Sequence, residues 1–197
     1  MQKKKGLALV LSFALVACLA VAGTLAWLTS TTGEVKNTFT VGNVAITLDE
    51  AVTDEYGVKQ GEQRGMGNTY KLINGHTYVK DPTVHVQEGE DCWLFVKVED
   101  GMAAFETEGN KVVDQMTANG NWTLVAGETN VYAYKQIVNA GDDIKVFTEL
   151  EIAGDVDLST VPKGANITIM AYAVQADGFD TAAEAWEEAP GAWTANN

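Results

Sequence analysis

The chain has 197 residues, of which 13 are basic and 27 acidic, giving a net charge of −14, and only 2 are cysteines. An acidic balance of this size excludes nucleic acid or anionic lipid as the main partner, because neutralising phosphates takes clustered Lys and Arg. With Cys18 in the leader and Cys92 the one cysteine beyond it, a disulfide framework is excluded too, and a domain of this length has to be held by its core.

Met1-Gln2-Lys3-Lys4-Lys5 places three positive charges before an uncharged, mostly apolar run from Gly6 to Leu28, the order of a secretory signal. The lysines stay on the cytoplasmic side while the apolar run enters the bilayer as a helix whose backbone satisfies itself. Two small-x-small sites fit cleavage: Ala20-Val21-Ala22 before Gly23, and Thr24-Leu25-Ala26 before Trp27. The run is also long enough for an uncleaved anchor, and Leu15-Val16-Ala17-Cys18 offers a lipidation site. With cleavage after Ala26, residues 1–26 are the signal peptide and 27–197 a single domain. Removing the three leader lysines leaves 10 basic residues against 27 acidic ones, a net charge of −17.

Beyond the leader, the stretch from Asn37 to Leu48 is rich in β-branched residues, and Val44, Ile46 and Leu48 fall on one face at period two, which predicts a half-buried strand. The residues from Thr53 to Asn68, with Gly57, Gly61, Gly65 and Gly67, read as an exposed, mobile loop. The period-two pattern returns at Thr77-Tyr78-Val79, at Thr83-Val84-His85-Val86, from Trp93 to Val98, and from Trp122 to Val125. Cys92 opens the apolar stretch Cys92-Trp93-Leu94-Phe95-Val96 and reads as a buried structural thiol. A short helix is expected from Met102 to Thr107. Further strands are expected from Val131 to Val138, Ile144 to Ile152 and Ile167 to Val174. A last helix over Thr181–Glu188, with Asp180 as its N-cap, packs Trp186 against an end of the sandwich. Turn formers at Asn74-Gly75, Glu88-Gly89, Ala126-Gly127 and Ala140-Gly141-Asp142-Asp143 separate the strands. About eight strands with short connections predict an all-β fold, an antiparallel β-sandwich of jelly-roll type with one or two short helices, preceded by the signal helix; a barrel is the alternative.

Gly23-Thr24-Leu25-Ala26-Trp27-Leu28-Thr29, followed by Asn37-Thr38-Phe39-Thr40-Val41-Gly42-Asn43-Val44, resembles the TasA/camelysin family of secreted surface and biofilm-matrix proteins of Gram-positive bacteria. Lys80-Asp81-Pro82-Thr83-Val84 and Ala171-Tyr172-Ala173-Val174-Gln175-Ala176 are similar to the family as well. The resemblance implies processing by a SipW-type signal peptidase between Ala26 and Trp27, a jelly-roll-like sandwich, and fibres in which an N-terminal strand of one subunit completes the sheet of the next. Such β-augmentation matches the unpaired N–H and C=O groups of a sheet edge with an extended peptide. The donor segment would run from Trp27 to Val41, with Trp27, Leu28, Val35, Phe39 and Val41 as its apolar residues; the alternative is an ordinary first strand paired within its own domain.

One branch of that family was named as a metallopeptidase, so zinc chemistry has to be weighed. His76 and His85 are the only histidines and no H-E-x-x-H occurs; three ligands plus a water are what catalytic zinc takes, and a turn imidazole and a strand-surface imidazole account for these two. Ser30 and Ser159 lack the context of an activated nucleophile. Asp142-Asp143, Asp155 with Asp157, and Glu187-Glu188 read as solvated loop charge; the aspartates of the first two groups could also contribute oxygens to calcium, although no twelve-residue calcium loop is present. No cofactor and no metal are expected. Trp122, Tyr132, Tyr134 and Trp193 are either core or a contact face for glycan or protein. The reading is a non-enzymatic secreted subunit that self-associates or joins other matrix or surface proteins. A monomeric surface-binding or adhesion module is the alternative, and a camelysin-type metallopeptidase is the third.

Overall fold

The computed structural model describes residues 44–189, within the compact unit Val41–Asn197. The leader, the expected cleavage site Ala26/Trp27 and the donor segment up to Val41 lie outside the described residues, as does Trp193.

The period-two stretches form antiparallel strands. β1 (Ile46–Thr53) pairs on one side with β2 (Lys59–Gly65) and on the other with β4 (Thr83–Val86), which pairs with β8 (Asp143–Lys145). The second sheet has the order β10 (Ile167–Gln175), β5 (Cys92–Asp100), β7 (Val131–Tyr134), β6 (Trp122–Leu124). A two-stranded ribbon joins β3 (Thr77–Val79) to β9 (Glu149–Glu151). The core lies between the two larger sheets: Ile46, Leu48, Val84, Val86 and Ile144 from the first meet Leu94, Val96, Val98, Ile169, Ala171 and Tyr132 from the second. These are the inward residues of each alternating strand, which is why a sheet pair of this pattern closes face to face. The outer face of the second sheet is covered as well. There Trp93, Phe95, Val131 and Val174 pack against α2 (Ala182–Glu187), with the rings of Phe95 and Trp186 4.9 Å apart. β5 is thus buried on both faces and holds more buried residues than any other described strand.

The structure departs from the sequence reading in several places. The segment 53–68 is an ordered hairpin arm. Asp54 Oδ1 accepts the N–H groups of Tyr56 and Val58, both at 2.9 Å, and Gly57 takes φ +77° at the turn, where a Cβ would lie 2.6 Å from the Cα of Tyr78. β2 carries no apolar alternation because six of its seven residues are exposed, so periodicity could not reveal it. Of the strand expected over 37–48, residues 44–48 are described; β1 begins at Ile46 and continues beyond the expected end to Thr53. The run Ile144–Ile152 splits. β8 pairs in the first sheet and β9 in the ribbon, and Val146 and Phe147 between them turn into the core. The run Val131–Val138 ends as a strand at Tyr134, and Val138 returns only as an isolated bridge to Cys92.

No helix forms over Met102–Thr107, which is a chain of turns closed by Phe105 N–H to the Met102 carbonyl at 2.8 Å. The helix lies further on, as α1 (Val112–Ala118), with Val112 and Met116 buried in the main core. The N-cap of α2 is Thr181, whose hydroxyl accepts the Glu184 N–H at 3.2 Å; Asp180 instead donates its backbone N–H to Glu184 Oε2 at 2.9 Å. Trp186 sits on the outer face of β5, not at an end of the sandwich. Among the described residues no helix is long and apolar enough to cross a membrane.

Candidate functional site

Three of the four edges of the larger sheets are finished in ways that discourage further pairing. β2 is polar and carries Lys59, Glu62 and Arg64; β8 and β6 are three residues each. β10 is different. It is nine residues long, reads Ile-Thr-Ile-Met-Ala-Tyr-Ala-Val-Gln, and contains no charge, proline or glycine. Among the described residues its one strand partner is β5. Gly101 N–H donates to the Asn166 carbonyl at 2.9 Å and Ala176 N–H to the Asp91 carbonyl at 2.8 Å. Because hydrogen-bonded pairs alternate along an antiparallel ladder, these two bonds set the phase: even-numbered residues of β10 bond to β5, and the backbone groups of Ile167, Ile169 and Ala171 point away from it. Their side chains meanwhile face the core.

A groove of about 500 Å³ opens between β1 and the first half of that edge. Leu48, Met66, Tyr70, Leu72, Met102 and Ile169 give it an apolar lining, and Met66 is 89% exposed. The close approach of β5 to the start of β10 depends on Gly101, where a Cβ would stand 2.7 Å from the Asn166 carbonyl oxygen. Burial and the charge of Glu50 push the Tyr70 phenol up to about 12, so it stays a neutral hydrogen-bond donor, given to the Val79 carbonyl at 2.9 Å.

The groove wall also holds a buried polar cluster. Glu50, 4% exposed, receives Lys80 Nζ on one carboxylate oxygen at 2.8 Å and Asn68 Nδ2 on the other at 3.0 Å. Asn68 Nδ2 also donates to the Ala51 carbonyl at 2.9 Å, and Asn68 Oδ1 accepts the Thr53 N–H at 2.8 Å. Lys80 itself is 8% exposed. In the sequence only Lys80 stands out, within Lys80-Asp81-Pro82-Thr83-Val84, and nothing links it to the others: they come from β1, from the segment after β2 and from the connection between β3 and β4.

A second cluster joins the end of β5 to α1. Asp100 Oδ1 accepts the Met102 N–H at 2.9 Å and Glu106 Oε2 the Val112 N–H at 2.7 Å. Asp100 Oδ2 and Glu106 Oε1 are buried with no hydrogen-bond partner. Burial raises both pKa values, and two buried carboxylates would repel one another, which favours a proton on one of the pair. Burial, reinforced by the charge of Asp100, pushes the Glu106 carboxyl up to about 7.

The residues singled out as metal or catalytic candidates are kept apart. His85 lies across the outer face of the first sheet, with Nε2 2.9 Å from Asp49 Oδ1 and Nδ1 2.5 Å from Asp143 Oδ1. Its hydrogen bond to Asp49, with the second to Asp143, raises its pKa above the ordinary histidine value. His76 is elsewhere, with Nε2 2.9 Å from the Tyr56 carbonyl and its ring edge-on to Tyr78. Asp157 caps the 3-10 turn Leu158–Thr160 through Ser159, and Asp142 holds the Asn139 turn, so one carboxylate oxygen of each is engaged by protein donors. Among the described residues no three His, Cys, Asp or Glu side chains converge as metal ligands. Cys92 is fully buried, and burial pushes its thiol up to about 11. Trp122 and Tyr132 are core residues, and Tyr134 stands edge-on to Trp122 with ring centroids 5.1 Å apart.

No family model, no curated protein and no solved structure matches this chain.

Proposed function

We propose that this chain is a secreted structural subunit of a Gram-positive cell surface or biofilm matrix, of the TasA/camelysin type. In this reading a SipW-type peptidase cuts between Ala26 and Trp27, and the released segment to Val41 pairs with the β10 edge of the next copy, adding its strand to a jelly-roll sandwich. The observation that carries the reading is the contrast among the edges: a long, uncharged strand beside an apolar groove is what a soluble protein avoids leaving open. An extended segment laid there would bond to the outward backbone groups of Ile167, Ile169 and Ala171 and place alternate apolar side chains in the groove. The surrounding charge keeps the subunit soluble before it assembles.

Mass spectrometry of the secreted N-terminus, followed by light scattering of the same species, tests this. A chain that begins at Trp27 and forms large particles, while a folded truncation lacking residues 27–41 stays monomeric, is the expected result. If both species are folded monomers, strand donation is wrong.

A further inference from the structure

The Glu50 cluster brings a buried lysine and a carboxamide onto one carboxylate. One carboxylate holds an amine on one oxygen and a carboxamide on the other, at 2.8 and 3.0 Å, and both Glu50 and Lys80 are more than nine-tenths buried. One carboxylate therefore contacts both the Lys80 amine and the Asn68 amide. The amide is also prepared for attack. Its carbonyl oxygen accepts the Thr53 N–H at 2.8 Å, a backbone donor aimed where negative charge would develop, and its nitrogen is held by Glu50 and the Ala51 carbonyl.

We propose that Lys80 and Asn68 become joined by an intramolecular amide bond, formed autocatalytically with Glu50 as the proton shuttle. Glu50 Oε2, 2.8 Å from Lys80 Nζ, is placed to take one proton from the Lys80 ammonium. The freed nitrogen lone pair attacks Asn68 Cγ. The new C–N bond forms while the carbonyl π electrons move onto Oδ1, against the Thr53 N–H. The electron pair on Oδ1 then re-forms the carbonyl as the Cγ–Nδ2 bond breaks with its electron pair on Nδ2. That nitrogen gains a proton by way of Glu50, which collects one from the attacking nitrogen, and leaves as ammonia. Of the five protons at the start, three on Lys80 and two on Asn68, three leave in ammonia, one stays on the new amide and one on Glu50. No oxidant or cofactor is consumed. The product ties the segment after β2 to the connection between β3 and β4, beside the groove, in a domain whose cysteine Cys92 is unpaired.

Peptide mapping by tandem mass spectrometry of the full chain tests this without reference to assembly. The expected result is a branched peptide joining Lys80 to Asn68, lighter than the sum of its parts by about 17 Da for the lost ammonia, and absent from Glu50→Gln and Lys80→Arg. Recovery of Lys80 and Asn68 only in separate, full-mass peptides overturns the proposal, even if neither variant folds, because the unmodified chain alone decides. A loss of about 17 Da confined to one peptide, such as cyclisation of Asn74 onto Gly75, also overturns it.

Discussion

The two larger sheets bury their inner faces in the same core but finish their outer faces and edges by opposite means. The sheet of β2, β1, β4 and β8 leaves its outer face to solvent and lays matched charges across it. Arg64 reaches Asp49 at 2.5 Å and Asp81 at 3.6 Å, Lys59 reaches Asp81 at 3.2 Å, and His85 lies between Asp49 and Asp143. Asp81, 3% exposed, is held down by the Ala51 N–H at 2.8 Å, and its pKa is lowered by that bond and by the two cations despite burial. The sheet of β10, β5, β7 and β6 covers its outer face with α2 and leaves an uncharged edge. Cross-strand charge keeps a solvated face soluble at little gain in stability, whereas apolar covering stabilises strongly and leaves the sheet's margin exposed to pairing.

Four substitutions sharpen that contrast, from the largest expected effect to the smallest. Phe95→Ala, in the centre of the covered sheet against Trp186, should cost about 4 kcal/mol in denaturant unfolding. A loss below about 1 kcal/mol would show that α2 contributes little to the packing there.

Next comes the uncompensated carboxyl pair at the end of β5. A carboxyl whose folded pKa lies above its unfolded value stabilises the fold fully below about 4.5, and that stability is lost as pH rises to about 7. The window corresponds to about 3 kcal/mol. Glu106→Gln should flatten this part of the pH profile and be the more stable protein at pH 8; identical profiles for variant and parent would assign the titration to another group.

On the charged sheet the effect is smaller. His85 is raised, so its contribution is present below about 6.5 and is lost as pH climbs through its folded value. His85→Gln should abolish that loss, worth about 0.5 kcal/mol for a half-exposed cross-strand pair. A profile that stays pH-dependent to the same extent would place the titration elsewhere.

Last, Met170→Lys puts a charge on the outer side of the β10 edge, outside the packed clusters, and should change monomer stability by less than about 0.5 kcal/mol. Light scattering should nevertheless show particle formation lost. Assembly that survives the lysine would move the contact to another edge.

What could be read from residues alone follows a physical division. Alternation at Ile46, Leu48, Val84, Val86 and Leu94 to Val98 marked inward faces, because side chains along a strand point to opposite sides whatever the strand pairs with. The all-β class, the buried Cys92 and the α2 segment were legible for the same reason: each rests on a local pattern. β2 was not, since a polar edge strand carries no period, and its existence depends on backbone bonds to β1 and on the Asp54–Gly57 turn. Nor was the split of Ile144–Ile152, because two partners, β4 and β3, compete for one run and draw its halves into different sheets. The Glu50, Asn68 and Lys80 cluster and the Asp100–Glu106 pair lay furthest from view. Their members are ordinary charged and polar residues in sequence, and only burial and the meeting of separate segments make them chemically distinct. Thus the sequence by itself determined which residues face inward, while the tertiary structure decided which strand ends as an edge and which polar groups meet away from water, since both depend on contacts between segments far apart in the chain.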